Sequence, residues 1–219
     1  STAPNDFLDD LDVVAQITGV TIASPPVITI SYMTEDGRPI LGLDTVKEQA
    51  PRSIRFPIAK LVAGSNGDPN QWVCYTRDDE SGEPNYDLGS SFVDVGDGVY
   101  QLTFNTDIAT VPGVPYEPTL THRVAGQIAS REFSLEWTNP VYDWVPAGGA
   151  LPATRNIATM ASCNECHEDM HFHGRRFKVE YCVTCHNPDL ADGEGDMAYM
   201  IHRIHAAGDF TVLDDGISY

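Results

Sequence analysis

Two pairs of cysteines near the C-terminal end of the sequence are each followed directly by a histidine. Residues 163–167 read CNECH and residues 182–186 read CVTCH. In a CxxCH motif the two thiols can form thioethers with the vinyl groups of one haem, and the adjacent histidine can bind the iron. The spacing therefore predicts two covalently attached c-type haems, with His167 and His186 as proximal iron ligands and with thioethers at Cys163, Cys166, Cys182 and Cys185.

The same four cysteines also fit a structural zinc site. Residues 163–185 follow the pattern C-x2-C-x15-C-x2-C, a spacing found in zinc ribbons, in which four thiolates close a tetrahedral site. Only seven histidines occur in 219 residues, so a histidine directly after both pairs would seldom arise by chance. Haem attachment requires these histidines. Haem is therefore the favoured interpretation, and zinc is the alternative.

Two histidines between the motifs could act as further iron ligands. His171 follows His167 by four residues, so on a continuing helix both would project from one face and could not bind opposite sides of one iron. His171 could still serve the other haem. His173 precedes Gly174, which would allow the backbone to approach a porphyrin closely.

Residues 196–207 (DMAYMIHRIHAA) have the apolar spacing of an amphipathic helix. His202 and His205 lie three residues apart on it and point in the same general direction, so they would bind two different irons. Each iron would then have two histidine ligands, and the chain has more candidate histidines than two haems need. Ligation by methionine would raise the reduction potential and is the less favoured option; the candidates are Met170, Met197 and Met200.

The first two thirds of the sequence has the texture of β structure. Short runs of β-branched and aromatic residues alternate with Gly, Pro and Asp turns, and Gly96-Asp97-Gly98 indicates a tight hairpin. Strands are predicted at residues 27–32, 53–62, 71–76, 91–95, 99–104, 120–128 and 132–137, with a short helix at 6–16. The pattern predicts a mainly β N-terminal domain over residues 1–148, an antiparallel sandwich or small barrel.

The composition changes after this domain. Residues 139–156 are rich in Pro, Gly and Ala, which is typical of a domain boundary. Beyond them the strand-like alternation ends and Cys, His and Met become dense. Residues 149–219 are therefore predicted to form a small c-type haem domain, mostly irregular or α-helical. The surplus of histidines and a C-terminus without capping signals indicate a truncated multihaem domain.

Charge and composition exclude some partners. The net charge is −19, and phosphate binding needs clustered Lys and Arg, so nucleic acid is not an expected partner. No apolar run is long enough to span a bilayer. The fifth cysteine, Cys74, follows an apolar Trp-Val pair and is predicted to be a buried, inert thiol.

Several segments together resemble one family. Residues 162–188 and 200–205 look like the first two haem sites of the outer-membrane decahaem cytochromes of metal-reducing bacteria, the OmcA/MtrC family. Residues 56–62, 96–104, 116–124 and 142–148 are similar to that family's N-terminal β domain. The resemblance implies that the β domain of residues 1–148 is an antiparallel Greek-key sandwich or split barrel. The sequence departs from the family in having two haem motifs rather than about ten, and in lacking a lipid-anchoring cysteine at its start.

The resemblance implies a function, a location and a set of ligands. It implies an electron carrier rather than an enzyme, with bis-histidine haems, and with terminal metal reduction as the one enzymatic activity to consider. The expected location is the cell surface, the outer membrane or the extracellular space, with the periplasm as the alternative. The expected partners are redox proteins of an outer-membrane conduit, with metal oxides, metal chelates or flavin as acceptors. The resemblance assigns His173, His202 and His205 as distal candidates and His122 to a structural role.

Two other functions remain open from the sequence. A haem enzyme of the peroxidase kind would need one five-coordinate iron beside a distal acid–base pocket. Alternatively, the β domain could be the functional part, as a docking module with accessory haems, because a fold does not fix a function.

Overall fold

The structure is a computed structural model that describes residues 12–206 apart from 66, 68, 134, 153–156 and 174. It is mainly β, as predicted, with antiparallel sheets followed by short helices. The strands are β1 Val13–Thr21, β2 Val27–Thr34, β3 Ile54–Arg55, β4 Ile58–Val62, β5 Gln71–Cys74, β6 Ser91–Gly96, β7 Val99–Thr103, β8 His122–Ala125, β9 Gln127–Ser130, β10 Leu135–Thr138 and β11 Val141–Trp144. The helices are α1 Leu43–Gln49, α2 Met160–His167, α3 Val179–Cys185 and α4 Met197–His205.

The first sheet has the strand order β1-β2-β7-β6. Every second residue of β2 is buried, among them Ile28, Ile30 and Tyr32, because alternate side chains of a strand face opposite sides of the sheet. The predicted hairpin joins β6 to β7. It turns through Asp97 and Gly98, both with positive φ, and a side chain at Gly98 would meet the Tyr32 carbonyl oxygen at 2.7 Å.

Two further sheets complete the β part of the described chain, in the orders β11-β8-β4-β5 and β10-β9-β3. Residues 120–128, predicted as one strand, instead contain β8 and the start of β9, which belong to different sheets. The break falls at Gly126, where a side chain would overlap the ring of Phe56. A glycine there lets the chain pass the core aromatic residue and change sheets.

The helix predicted at residues 6–16 is wrong over its described part. Residues 1–11 lie outside the described residues, and residues 13–16 begin β1. The strand pairs with β2 from Val13↔Thr34 to Thr21↔Val27. Its β-branched residues therefore complete an edge of the first sheet rather than a helix face.

The helical part of the chain follows the β sheets. β11 ends at Trp144 and α2 begins at Met160; the division into domains at 148/149 stays a prediction. The predicted amphipathic helix is present as α4, and its N-cap Asp196 accepts hydrogen bonds from the backbone of Ala198 and Tyr199. Within the described ranges, no helix has the length and apolar character needed to cross a membrane.

Candidate functional site

Both CxxCH motifs occupy the C-terminal ends of short helices. α2 carries Cys163, Cys166 and His167, and its N-cap Thr159 accepts a hydrogen bond from Ser162 N at 3.2 Å. Helical geometry places residues i and i+3 on neighbouring positions of one face. The two sulfurs of the motif can therefore address one edge of a macrocycle, and the histidine follows one residue later.

The second motif lies on α3 and ends just beyond it. Cys182 and Cys185 belong to the helix, and His186 is its C-cap residue. His186 Nδ1 lies 2.9 Å from the Gly195 carbonyl oxygen. A carbonyl can only accept, so Nδ1 carries the proton and Nε2 is free to bind a metal, the arrangement common among metal-binding histidines.

The histidine of each CxxCH motif lies close to a second histidine. The rings of His167 and His205 are 5.9 Å apart between centroids, with an angle of 81° between their planes. The rings of His173 and His186 are 5.8 Å apart, with an angle of 25°. His205 Nδ1 donates to the Ile201 carbonyl oxygen at 2.8 Å, so its Nε2 is also free.

These separations fit an iron held between two imidazoles. Two metal–nitrogen bonds of about 2 Å each, on opposite sides of one metal, place the ring centroids about 6 Å apart. Both histidine pairs meet this condition, and each contains the histidine of one CxxCH motif. The residues present therefore suit two bis-histidine c-type haems.

The zinc alternative finds no support in the arrangement of the cysteines. Within the part of the chain that the structure describes, no group of three or more His, Cys, Asp or Glu side chains is placed to hold a metal ion. Cys163, Cys166, Cys182 and Cys185 are free thiols divided between α2 and α3. A closed zinc site needs four ligands around one point.

The other candidate ligands lie elsewhere. His202 is exposed on α4 and, among the described aromatic contacts, is paired with no histidine ring. His171 packs edge-on against Trp137, with centroids 5.3 Å apart. Met197 and Met200 are half-buried on α4, as expected for its apolar face.

His122 is fully buried, and both of its ring nitrogens are used. Nδ1 donates to the Leu120 carbonyl oxygen at 2.9 Å, so Nε2 accepts from the Tyr75 hydroxyl at 3.1 Å. Burial lowers the pKa of His122, which keeps the imidazole neutral in this role. The geometry agrees with the structural role implied for His122 and leaves no nitrogen for a metal.

The surroundings of the second motif favour the neutral forms of His173 and Cys182. Burial, followed by the charges of Arg176, His186 and Arg55, lowers the pKa of His173, and only neutral imidazole binds metal. Burial also raises the pKa of the Cys182 thiol to about 11. Sequence reasoning did not find Arg55 and Arg176, because no motif contains them.

Cys74 is also close to this motif. It is buried, as predicted, and its Sγ donates to the Thr76 carbonyl oxygen at 3.1 Å. The neighbouring Cys74 thiol, followed by burial, raises the pKa of Cys185 well above its usual value. Cys74 is thus closed to solvent, and its thiol lies beside Cys185 of the second motif.

Hydrogen bonds between side chains and backbone hold the second motif against the β sheets. Asn139, buried just after β10, accepts from Phe177 N at 2.9 Å and donates to the Arg175 carbonyl oxygen at 3.3 Å. Arg123 on β8 donates to the Glu180 carbonyl oxygen at 3.1 Å, and Arg77 pairs with Asp189 at 2.6 Å. The β sheets thus fix the position of α3 and of the segment that carries His173.

Sheets that position two CxxCH helices, each with its histidine close to a second histidine, form the arrangement that a multihaem c-type cytochrome would have. Residues 155–217 match the family described as outer membrane cytochrome MtrC/MtrF-like, domains II/IV. The chain as a whole is similar, over most of its length, to outer-membrane multihaem cytochromes of the OmcA/MtrC type, which confirms the resemblance found in the sequence.

One similar protein is the multiheme cytochrome MtrC of Shewanella baltica (strain OS185), with 26% identity over 191 residues, which cover 82% of this chain and 28% of the relative. Among solved structures, the decaheme cytochrome OmcA matches with a TM-score of 0.73 and 24% identity, covering 93% of this chain and 34% of OmcA. MtrC from Shewanella baltica OS185 matches with a TM-score of 0.70 and 22% identity, covering 91% and 33%. The chain spans about a third or less of the length of these relatives.

Proposed function

We propose that this chain is an electron-transfer unit that carries two c-type haems and exchanges electrons with other redox groups at the cell surface. The observation that carries the proposal is the pairing of both motif histidines with a second histidine at 5.9 and 5.8 Å. Bound haem supplies reversible one-electron chemistry, and the protein sets the ligands and surroundings of the iron.

The roles of the residues follow from the two pairs. Cys163 and Cys166 attach one haem, with His167 as the proximal ligand and His205 as the distal ligand. Cys182 and Cys185 attach the other, with His186 as the proximal ligand and His173 as the distal ligand. His202 remains as a candidate for an iron outside this set.

Two ligands on each iron argue against an enzyme. A peroxidase-like reaction needs an open coordination position, whereas each histidine pair would supply two ligands to its iron. We expect an electron carrier whose acceptors are extracellular metal oxides, metal chelates or flavin, with redox proteins of an outer-membrane conduit as donors. Terminal metal reduction would then occur by electron transfer at an exposed haem edge, with no substrate bound to iron.

The haem content and spin state test this proposal. The chain is produced together with a c-type haem attachment system, and its intact mass gives the number of haems. We expect two haems per chain, both low-spin when oxidised and when reduced with dithionite. Perpendicular and near-parallel imidazole planes split the iron d orbitals differently, so two distinct low-spin EPR signals are expected. Bound zinc without haem would exclude the proposal, and high-spin iron would favour an open site.

Cys74 offers a separate check on thioether formation. Because the four motif cysteines are consumed in thioethers, we expect one titratable thiol per chain. It should be unreactive towards a maleimide in the native holoprotein and reactive in denaturant, since Cys74 is buried. Cys74→Ser provides the control with no titratable thiol. Labelling of the native protein at the rate of the denatured protein would contradict both the burial and the inertness of Cys74.

A further inference from the structure

Two arginine side chains meet beside the His173–His186 pair. Arg55 on β3 donates from Nη2 to Gln127 Oε1 at 3.0 Å, and Arg176 donates from Nε to the same oxygen at 3.1 Å. Both guanidinium groups lie over the ring of Tyr86, at 4.5 and 5.8 Å from its centroid. Two cations therefore converge on one neutral amide oxygen of a buried glutamine.

Neither arginine has a carboxylate partner within the described ranges, where the ion pairs use Arg38, Lys60, Arg77 and Arg123. The Nε of Arg55 is buried there without any hydrogen-bond partner. Both arginines are half-buried, so an unpaired charge there bears part of the cost of desolvation, and the unbonded buried Nε donor adds a penalty of its own. Acidic residues outnumber basic ones in this chain, whose net charge is −19. The lack of a carboxylate partner for Arg55 and Arg176 therefore needs a physical explanation.

Asp87 lies close to Arg55 in the fold, since its backbone pairs with that of Phe56, but its carboxylate is already engaged. Asp87 and Arg55 both influence the half-buried amine of Lys47. The Asp87 oxygens accept hydrogen bonds from the backbone of Gly89 and from the backbone and side chains of Asn105 and Thr106. Asp87 is therefore a structural acceptor in its own loop and gives no hydrogen bond to either arginine.

The arginine pair lies close to the second motif. Arg176 pairs with Phe172, the residue directly before His173, in an isolated β-bridge, and the charges of Arg176, His186 and Arg55 all contribute to the lowered pKa of His173. The Arg176 guanidinium also lies 4.8 Å from the ring of Tyr181, the residue directly before Cys182. An anionic group belonging to whatever binds between His173 and His186 would meet these two guanidinium groups.

We propose that Arg55 and Arg176, aligned by Gln127, bind the propionate carboxylates of the haem attached at Cys182 and Cys185. A guanidinium presents its N–H groups in a planar fork that matches a carboxylate. Because Nε of Arg55 is closed to solvent, the bonds to Gln127 leave Nη1 of Arg55 and both Nη atoms of Arg176 for the anion. The inference rests on the proposed function, since it requires a haem at that motif.

This arrangement of Arg55, Arg176 and Gln127, called the clamp below, has a consequence that packing alone would not produce. Two adjacent cations keep a carboxylate ionised at neutral pH. The propionates of this haem should then not gain or lose a proton when the iron changes its redox state. The midpoint potential of this haem should accordingly be nearly independent of pH across the neutral range.

The test is a set of potentiometric titrations of the holoprotein at several pH values. The second haem is recognised by the EPR signal expected for the near-parallel rings of His173 and His186. In Arg55→Gln and in Arg176→Gln we expect a lower potential that falls further as the pH rises. A fully coupled proton changes the redox equilibrium tenfold per pH unit, which is 59 mV for one electron.

Two variants control for charge and for folding. Arg77→Gln removes the same charge from another contact between the β sheets and the haem segment, the ion pair with Asp189; it should keep the flat pH profile. Gln127→Glu is isosteric and gives both arginines an internal carboxylate, so it preserves the local structure while competing with the propionates. It should reproduce the pH dependence of Arg55→Gln and Arg176→Gln.

The outcomes separate this inference from the proposed function. If the mass shows haem at both motifs and all three variants at Arg55, Arg176 and Gln127 keep the parent pH profile, the clamp is wrong and the haem assignment stands. If the parent protein carries no haem at Cys182 and Cys185, both proposals fail. A pH-dependent potential in the three variants but not in Arg77→Gln supports the clamp.

Discussion

Replacement of His205 by alanine is expected to change one haem of the holoprotein from low-spin to high-spin and to leave the other unchanged. The ring of His205 lies 5.9 Å from that of His167, and its Nδ1 proton is held by the Ile201 carbonyl oxygen. Removing it takes away the sixth ligand but keeps the helix, because alanine has the highest helix propensity. About half of the haem absorbance should shift, and one carbon monoxide should bind per reduced chain.

His202→Ala is the matched control for this experiment. It removes a histidine from the same helix, three residues earlier and exposed to solvent. Since His202 faces no other described histidine ring, the spectrum of this variant should stay that of the parent. High-spin iron in His202→Ala with none in His205→Ala would reverse the assignment. Low-spin iron in both variants would point to methionine or another replacement ligand.

The second haem allows the same experiment at a position with an unusual backbone. His173 has a positive φ of 48°, a conformation that asparagine adopts more readily than alanine does. His173→Asn therefore removes the imidazole with little added strain. It should make the haem at Cys182 and Cys185 high-spin and leave the other haem low-spin. His171→Asn, two residues earlier, should leave both haems low-spin. Optical and EPR spectra of the four variants together assign all distal ligands.

The chemistry of the chain could be predicted from the sequence because it is carried by local motifs. Two residues between the cysteines and a histidine directly after them suffice to predict haem attachment. The helix with His202 and His205 could likewise be predicted from its apolar spacing. The choice between these histidines could not be predicted, because it depends on where α4 brings His205 relative to His167 on α2, which no local pattern encodes.

The fold was predictable in class and less so in its elements. Turns and β-branched runs indicate the hairpin of β6 and β7, where both strands and their connection are adjacent in the sequence. β11 escaped prediction because Val141–Trp144 lies within a segment rich in Pro and Gly. Its strand conformation depends on pairing with β8 from Val141↔Ala125 to Trp144↔His122, and β propensity is set largely by such context.

The Arg55–Arg176 pair shows the same limit at the site. Arg55 and Gln127 are neighbours only because β3 pairs with β9. Arg176 reaches Gln127 only because Asn139 holds residues 175–177 against the β sheets. Each contact joins residues far apart in the sequence, so none of the three residues stands out in a motif search.

Arg123→Ala is expected to lower the free energy of unfolding by about 3 kcal/mol, near the lower end of the range of about 3–5 kcal/mol for breaking a buried ion pair. Arg123 is 7% exposed and binds Asp143 through two hydrogen bonds of 2.7 Å each. Its alanine variant would leave the Asp143 carboxylate without its partner. Because the side chain of Asp143 is 21% exposed, water can recover part of the loss, which favours the lower value.

Arg123→Ala should also weaken the attachment of α3, the helix of the second CxxCH motif, to the β sheets. The Arg123 guanidinium donates to the Glu180 carbonyl oxygen on α3 and lies 4.1 Å from the centre of the Trp72 ring. One side chain thus joins β8, β5, β11 and α3. Hydrogen exchange of the α3 amides should therefore increase in Arg123→Ala more than in Asp143→Ala, which keeps the bond to α3.

An exposed ion pair provides the reference for this measurement. Arg38 and Asp36 also form an ion pair, at 2.9 Å, but their side chains are 69% and 62% exposed. Breaking it with Arg38→Ala should cost no more than about 1 kcal/mol. Urea unfolding of the holoproteins gives both values, with slopes that must agree for the comparison to hold. Equal losses in Arg123→Ala and Arg38→Ala would mean that burial adds nothing to the stability contributed by the Arg123–Asp143 ion pair.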